Sequence, residues 1–150
     1  MKDIKRILVI SRSTAHCHKA IQYGLDLSRM LGAELYVAHI FTDPFSMAGW
    51  NLCIPLGTIQ EEYRLMAEKT RKKLDRMIEE QQDLNNPVKV TELVTEGAMT
   101  NEVIKLVKRE KIDLAIMVAH EEGRVEKFLF DHENQRLVRK MPCSIFLVKQ

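Results

Sequence analysis

Five short apolar runs, each separated from the next by a longer polar-patterned segment, constrain this chain more than any other feature. They are Ile7–Ile10, Leu35–Phe41, Val88–Thr95, Leu114–Val118 and Ile145–Val148. The first reads ILVI, unbroken and rich in β-branched side chains. That predicts a strand buried on both faces, at the centre of a sheet. The segments between the runs carry helical periodicity, so the order is β-α-β-α-β-α-β-α-β. Such alternation predicts an α/β fold: a parallel sheet with helices on both faces and right-handed crossovers.

Local signals mark the helices. Ser13 or Thr14 is available as N-cap of the first. Its stripe is Ala20, Gly24, Leu27 and Leu31, with Ile21 and Leu25 beside it. Gly32 stands in the C-cap position, and the small Ala20 and Gly24 allow close approach to the sheet. Thr58-Ile59-Gln60-Glu61 matches a capping box and predicts a long helix to Leu84. Its buried stripe is Ile59, Tyr63, Met66, Thr70, Leu74, Met77 and Ile78, and Asn85-Asn86-Pro87 stops it. Val88–Thr95 is the most polar of the runs, which suits an edge strand, and Glu96-Gly97 turns the chain. Val103, Ile104 and Val107 mark a third helix. Lys108, Arg109 and Lys111 form a basic last turn that complements its dipole. Residues 42–57 form a long connection that includes Phe45, Met47 and Trp50. It is too apolar for plain disorder and predicts a segment packed over the crevice, a helix or a second subunit.

Composition narrows the partners. A chain of 150 residues with 45% apolar content predicts one domain, 1–150, with an ordinary core. A net charge of +2, with both signs interspersed, argues for neither nucleic acid nor a membrane surface as partner. MKDIKR followed by ILVIS is not the pattern of a secretory signal, and no apolar run approaches the ~18 residues of a span. The three cysteines, Cys17, Cys53 and Cys143, are widely spaced without a C-x-x-C pair. Free thiols and a reducing cytoplasm are the expectation.

In open parallel sheets the ligand crevice lies beyond the carboxyl ends of the strands, where the strand order reverses. The run Leu114–Val118 leads there into His120, Glu121 and Glu122. Arg12, His16 and His18 approach from the first loop and helix. A His/Glu group suits a divalent metal, and an arginine suits an acidic ligand. The simpler expectation is solvated histidines and glutamates paired with Arg12 or Arg124, with no metal site. Cys17, near a helix N-terminus, reads as a buried, quiet thiol rather than a reactive one. No Ser/His/Asp or Cys/His spacing identifies a catalytic set. A phospho-receiver would need an acidic pair after the first strand and an aspartate ending the third. Ser11-Arg12 and Thr95-Glu96 do not supply them.

The chain resembles the universal stress protein family over nearly its whole length. Lys5-Arg6-Ile7-Leu8-Val9 resembles the family's opening strand. Leu31-Gly32-Ala33-Glu34-Leu35 matches its "LGAEL" turn, and Ala38-His39-Ile40 resembles its second strand, which gives His39 a structural role. Gly97, Glu102-Val103-Ile104 and Ile112-Asp113-Leu114-Ala115-Ile116-Met117 resemble its central segment. Arg136-Leu137-Val138-Arg139-Lys140-Met141-Pro142-Cys143 resembles its ending. The resemblance implies a Rossmann-like three-layer α/β/α sandwich with a five-stranded parallel sheet in the order 3-2-1-4-5. It also implies a homodimer, often built through the fifth strand (here Ile145, Phe146, Leu147 and Val148), and a role in stress response or regulation.

Some members of that family bind ATP through a G-x-x-G-x9-G-[ST] motif after strand four and an aspartate after strand one. Counted back from Pro142-Cys143, the three glycine positions fall on Val118, Glu121 and Asp131. The [ST] position is His132, and the aspartate position is Arg12. Bare glycine backbone and a free helix N-terminus are what receive phosphate. Glu121 and Asp131 put carboxylates there, each costing about a kcal/mol or more against a triphosphate at partial burial. Asp131 also serves as a helix N-cap, and Gly123, the one glycine of the loop, is out of register. The resemblance therefore implies a binding protein without catalysis and without ATP as cofactor in the family manner. Should a small ligand bind, Ser11, Arg12, His120, Glu121, Gly123, Asp131 and His132 are the candidate residues. The alternative is a protein that binds or hydrolyses nucleotide in a modified crevice at the ends of strands one and four.

Overall fold

The computed structural model describes residues 3–11, 17–41, 56–119 and 132–149. The chain runs β1 (Arg6–Ser11), α1 (His18–Leu31), β2 (Glu34–Phe41), α2 (Leu56–Gln81) and β3 (Val90–Glu96). It continues through α3 (Met99–Arg109), β4 (Leu114–Ala119), α4 (His132–Lys140) and β5 (Ser144–Lys149). All pairings are parallel, in the order β3-β2-β1-β4-β5. The expected α/β fold, the strand order and the edge position of the polar third strand are all present.

Alternation along the strands sorts their side chains into two cores. Ile7 and Val9 of β1 join Leu35, Val37, Ile116 and Val118 under α1 and α2, with Ile21, Leu25, Leu74 and Ile78. Leu8 and Ile10 join Tyr36, Ala38, Ala115 and Met117 under α3 and α4, with Val103, Leu106, Val107 and Leu137. β1 is buried on both faces because it sits centrally between them.

Several helix details differ from the sequence reading. The buried side of α1 is Ala20, Ile21, Gly24, Leu25 and Ser28, while Leu31 is exposed. Its stripe is thus rotated toward Ile21 and Leu25, because the last turn passes the end of the sheet. The helix starts at His18, with Cys17 in the N-cap position and no side-chain cap. Ser13 and Thr14 lie outside the described residues. Gly32 does close the helix, at φ 63°, its N–H donating to Ser28 O. α2 begins at Leu56, which puts Thr58 inside the first turn rather than at the cap. Met66 is 53% exposed, so it does not belong to the buried stripe, whose fully buried members are Leu74 and Ile78. The helix ends at Gln81, and Leu84 lies exposed beyond it. There Gln82 caps the following turn, donating to Val88 O (2.7 Å) and accepting from Val88 N–H (3.0 Å).

Lys111 occupies a left-handed conformation, φ 51°. The sequence reading assigned it to the basic last turn of α3, but that helix ends at Arg109. Ile112 N–H reaches back to Val107 O instead, closing the helix.

Candidate functional site

The strand order reverses between β1 and β4, and the carboxyl ends of β1, β2 and β4 meet there. β1 ends on Ser11, which stands in register with His39 of β2. Both side chains fall on the face covered by α1 and α2, since Ile7, Val9, Leu35 and Val37 already point that way. Ser11 is 1% exposed and His39 5%. Ser11 Oγ lies 3.1 Å from His39 Nδ1, so each satisfies the other inside the core. The imidazole edge meets Phe41 at a centroid distance of 4.7 Å, and Phe41 in turn meets Tyr63 of α2 at 6.5 Å. Cys17 completes the group from the start of α1, buried and hydrogen-bonded to Ser11.

This arrangement is structural rather than nucleophilic. Burial pushes the Cys17 thiol up, against smaller opposing effects of the Ser11 hydrogen bond and of Lys73. The thiol is therefore kept protonated near neutrality and is a poor nucleophile, as the sequence reading expected of it. Ser11 and His39 are closed to solvent. Burial also holds His39 below its ordinary 6.5, which keeps the ring neutral. Its structural role, implied by resemblance, has a physical basis in the Ser11 contact.

A pH dependence follows. A base whose folded-state pKa is depressed gives stability that is fully present above the unfolded value and lost as pH falls through the folded one. In a Glu92→Gln background, which removes the opposing titration of that carboxyl, urea denaturation is expected to show a lower midpoint at pH 5 than at pH 7.5. In His39→Asn, whose amide can still meet Ser11, the difference should shrink. An unchanged difference would remove His39 as its source.

Of the crevice residues singled out in the sequence, Ser11 is the buried last residue of β1, and His132 is the exposed first residue of α4. His18 opens α1 and is exposed. Arg12, His16, His120, Glu121, Glu122, Gly123, Arg124 and Asp131 lie outside the described residues, as does the connection 42–55. Val118 is a core residue of β4 paired with Val148. Among the described residues no group of three or more His, Cys, Asp or Glu side chains is placed to hold a metal ion. Nor is any helix among them long and apolar enough to cross a membrane.

A depression of about 670 Å³ lies at the opposite, amino ends of the strands, lined by Lys5, Arg6, Glu34, Lys111 and Asp113 among others. Its polar groups largely satisfy one another. Asp113 Oδ2 accepts from the N–H of Lys5 (3.0 Å) and of Arg6 (3.2 Å). Arg6 Nη1 donates to Glu110 O (3.0 Å), and its Nε lies 3.4 Å from Glu34. These contacts stitch the entrances of β1, β2 and β4 together, a role for Asp113 that sequence reasoning missed.

The proposed dimer strand is partly consumed by the chain itself. Val148 is 3% exposed in the chain's own core, and Ile145 and Leu147 pack against the α3/α4 side. Phe146 is the open member, 38% exposed, with its ring 5.6 Å from Tyr23 of α1. Of these four side chains, Phe146, beside Tyr23, is the one left most open.

Comparison with known proteins agrees with this architecture. The profile of the universal stress protein family matches residues 3–149. A universal stress protein of Methanocaldococcus jannaschii is 22% identical over 97% of this chain and 82% of its own length. The solved structure of hypothetical protein MJ0577 superposes with a TM-score of 0.76 at 16% identity, covering 99% of this chain and 98% of its own. A universal stress protein solved in complex with cAMP superposes with a TM-score of 0.58 at 11% identity, covering 99% of this chain and 98% of its own. With a sheet ordered β3-β2-β1-β4-β5 and a family match spanning nearly all of its residues, the chain belongs to the universal stress protein family.

Proposed function

We propose that this chain is a single-domain regulatory binding protein of the stress response, working in the cytoplasm as a homodimer without catalysis and without ATP in the family manner. One observation carries the reading. Counted back from Pro142-Cys143, the glycine positions of the ATP-binding motif fall on Val118, Glu121 and Asp131 in this chain. The burial of Val118 in β4 supports it, because that backbone is committed to the sheet and its side chain to the core. Ser11 and His39 support it too: Ser11 Oγ and His39 Nδ1 meet each other in the core. β5 ends the sheet opposite β3, and an edge with an exposed aromatic is a surface that a two-fold partner can cover.

Calorimetric titration with ATP, AMP and cyclic AMP, with and without Mg²⁺, tests the ligand side. No saturable ATP binding is expected below about 100 µM, and a submicromolar Kd for ATP overturns the reading. Sedimentation at micromolar concentration tests the dimer side. A dimer is expected, converted to monomer by Phe146→Asp; a monomer at that concentration removes the homodimer. The second reading, nucleotide held in a modified crevice, is favoured by the likeness to a fold that was solved with cAMP. It predicts nucleotide binding that Arg12→Ala and Glu121→Ala alter.

A further inference from the structure

α2 is the longest helix of the chain, yet the side chains it is known to bury fully are few. Leu74 and Ile78 anchor it, and Tyr63, Thr70 and Met77 are half-buried. Between the anchors, Asp75 points at the outer strand. Glu92 of β3 stands in register with Val37, which places it on the face that α2 covers. The two carboxyl groups meet there in a hydrogen bond. Such a bond requires that one of the pair keep its proton, because a carboxylate only accepts. Glu92 Oε2 is buried, and apart from the Asp75 carboxyl no hydrogen-bond partner stands beside it among the described residues. Burial and the neighbouring Asp75 outweigh the attraction of Arg71, so a charge on Glu92 is costly.

We propose that the Asp75–Glu92 pair is a proton-operated latch: sharing one proton it fastens α2 to the outer strand, and loss of that proton to solvent loosens the helix.

The surroundings fit. Asp75 belongs to a row of charges on α2, Arg71, Asp75 and Glu79, spaced by one turn each. Arg71 favours the charged form of Glu92, and Glu79 opposes it. On the sheet side the neighbours are Val90, Val94 and Val37, with His39 one rung on, in register with Val94 and bonded to Ser11. Around the sheet edge, a cavity of about 280 Å³ joins Arg71 and Glu92 to Glu102, Lys105 and Arg109 of α3. The α3 charges are already paired, Lys105 with Glu102 and Arg109 with Glu110, each at 2.6 Å. Burial, then the bond to Asp75 and its charge, push Glu92 up to about 7 from an ordinary 4.5. A carboxyl raised in the folded state stabilises it below 4.5 and loses that contribution as pH rises through about 7. The latch is therefore closed in mild acid and opens above neutrality, the reverse of the His39 dependence. It also bears on the crevice, because α2 carries the Tyr63 ring that stands on Phe41.

Hydrogen exchange of the α2 amides at pH 6 and pH 8, corrected for the intrinsic rate, tests the latch. Opening is expected to rise about threefold over that interval, below the roughly tenfold that the full shift allows there, because the site is partly solvated. Glu92→Gln and Asp75→Asn each keep a donor between the side chains at every pH, and both should abolish the rise. A rise that persists in both variants overturns the proposal. So does a Glu92 carboxyl that titrates near 4.5 by NMR in the unsubstituted protein, a measurement that needs no variant to fold.

Discussion

Replacing Leu137 by alanine is expected to lower the unfolding free energy by about 3 kcal/mol, within the roughly 2–5 kcal/mol range for a buried leucine. In a chain of this size that corresponds to a drop in Tm of roughly 6–12 °C. Leu137 is 1% exposed and belongs to the core between the sheet and α3. It is also the one buried apolar side chain of α4, whose sequence HENQRLVRK is otherwise polar apart from the exposed Val138. A nine-residue helix has little stability of its own, so its position rests on that anchor. The loss should therefore show first as faster exchange of α4 amides, and second as a lower global midpoint. Val138→Ala, on the exposed side, should change stability by no more than ~0.5 kcal/mol. Equal effects at the two positions would show that α4 does not dock as described.

Gly24→Ala is expected to destabilise by up to about 2 kcal/mol, although alanine is the better helix former. A Cβ at Gly24 would stand 2.7 Å from Val9 Cγ2 and 3.0 Å from Leu35 Cδ1. Val9 is β-branched, fully buried and on the central strand, so it cannot swing aside. Overpacking costs about 1–3 kcal/mol, against a propensity gain of about 1 kcal/mol, and the steric effect wins. Gly32→Ala makes the useful contrast. There nothing lies within 4 Å, and the penalty comes from φ +63° alone, about 1 kcal/mol. Thermal denaturation of the two variants separates the causes. Truncating Val9 to alanine should relieve much of the strain in Gly24→Ala and none in Gly32→Ala, and a purely additive double variant would contradict the contact.

Much of the fold was legible because its signals are local. ILVI needs two covered faces, and only a central parallel strand provides them. Gly32 after Leu31 is a helix stop wherever it occurs, and the small residues of α1 announced the close approach that Gly24 makes. The polarity of Val90–Glu96 matched its place at an edge. Helix faces were less legible. Met66 sits at a helical spacing from Tyr63 and Thr70, yet a long helix over a sheet edge buries only the part that overlies the strands. The role of Asp113 was not legible, since it accepts from backbone N–H groups of residues more than a hundred positions away. Lys111 misled for a related reason: a basic residue after a helix suits the dipole, and only the backbone reveals a left-handed turn.

The site divides in the same way. Sequence by itself determined the alternation, the central strand and the family likeness, because all of these are properties of neighbours along the chain. Tertiary structure alone decided that Ser11 Oγ and His39 Nδ1 meet each other in the core. It also decided that Val148 serves its own core and that Glu92 meets Asp75. Those facts depend on strand register and on how α2 lies across the sheet, and register brings together residues whose separation in sequence carries no information about their contact.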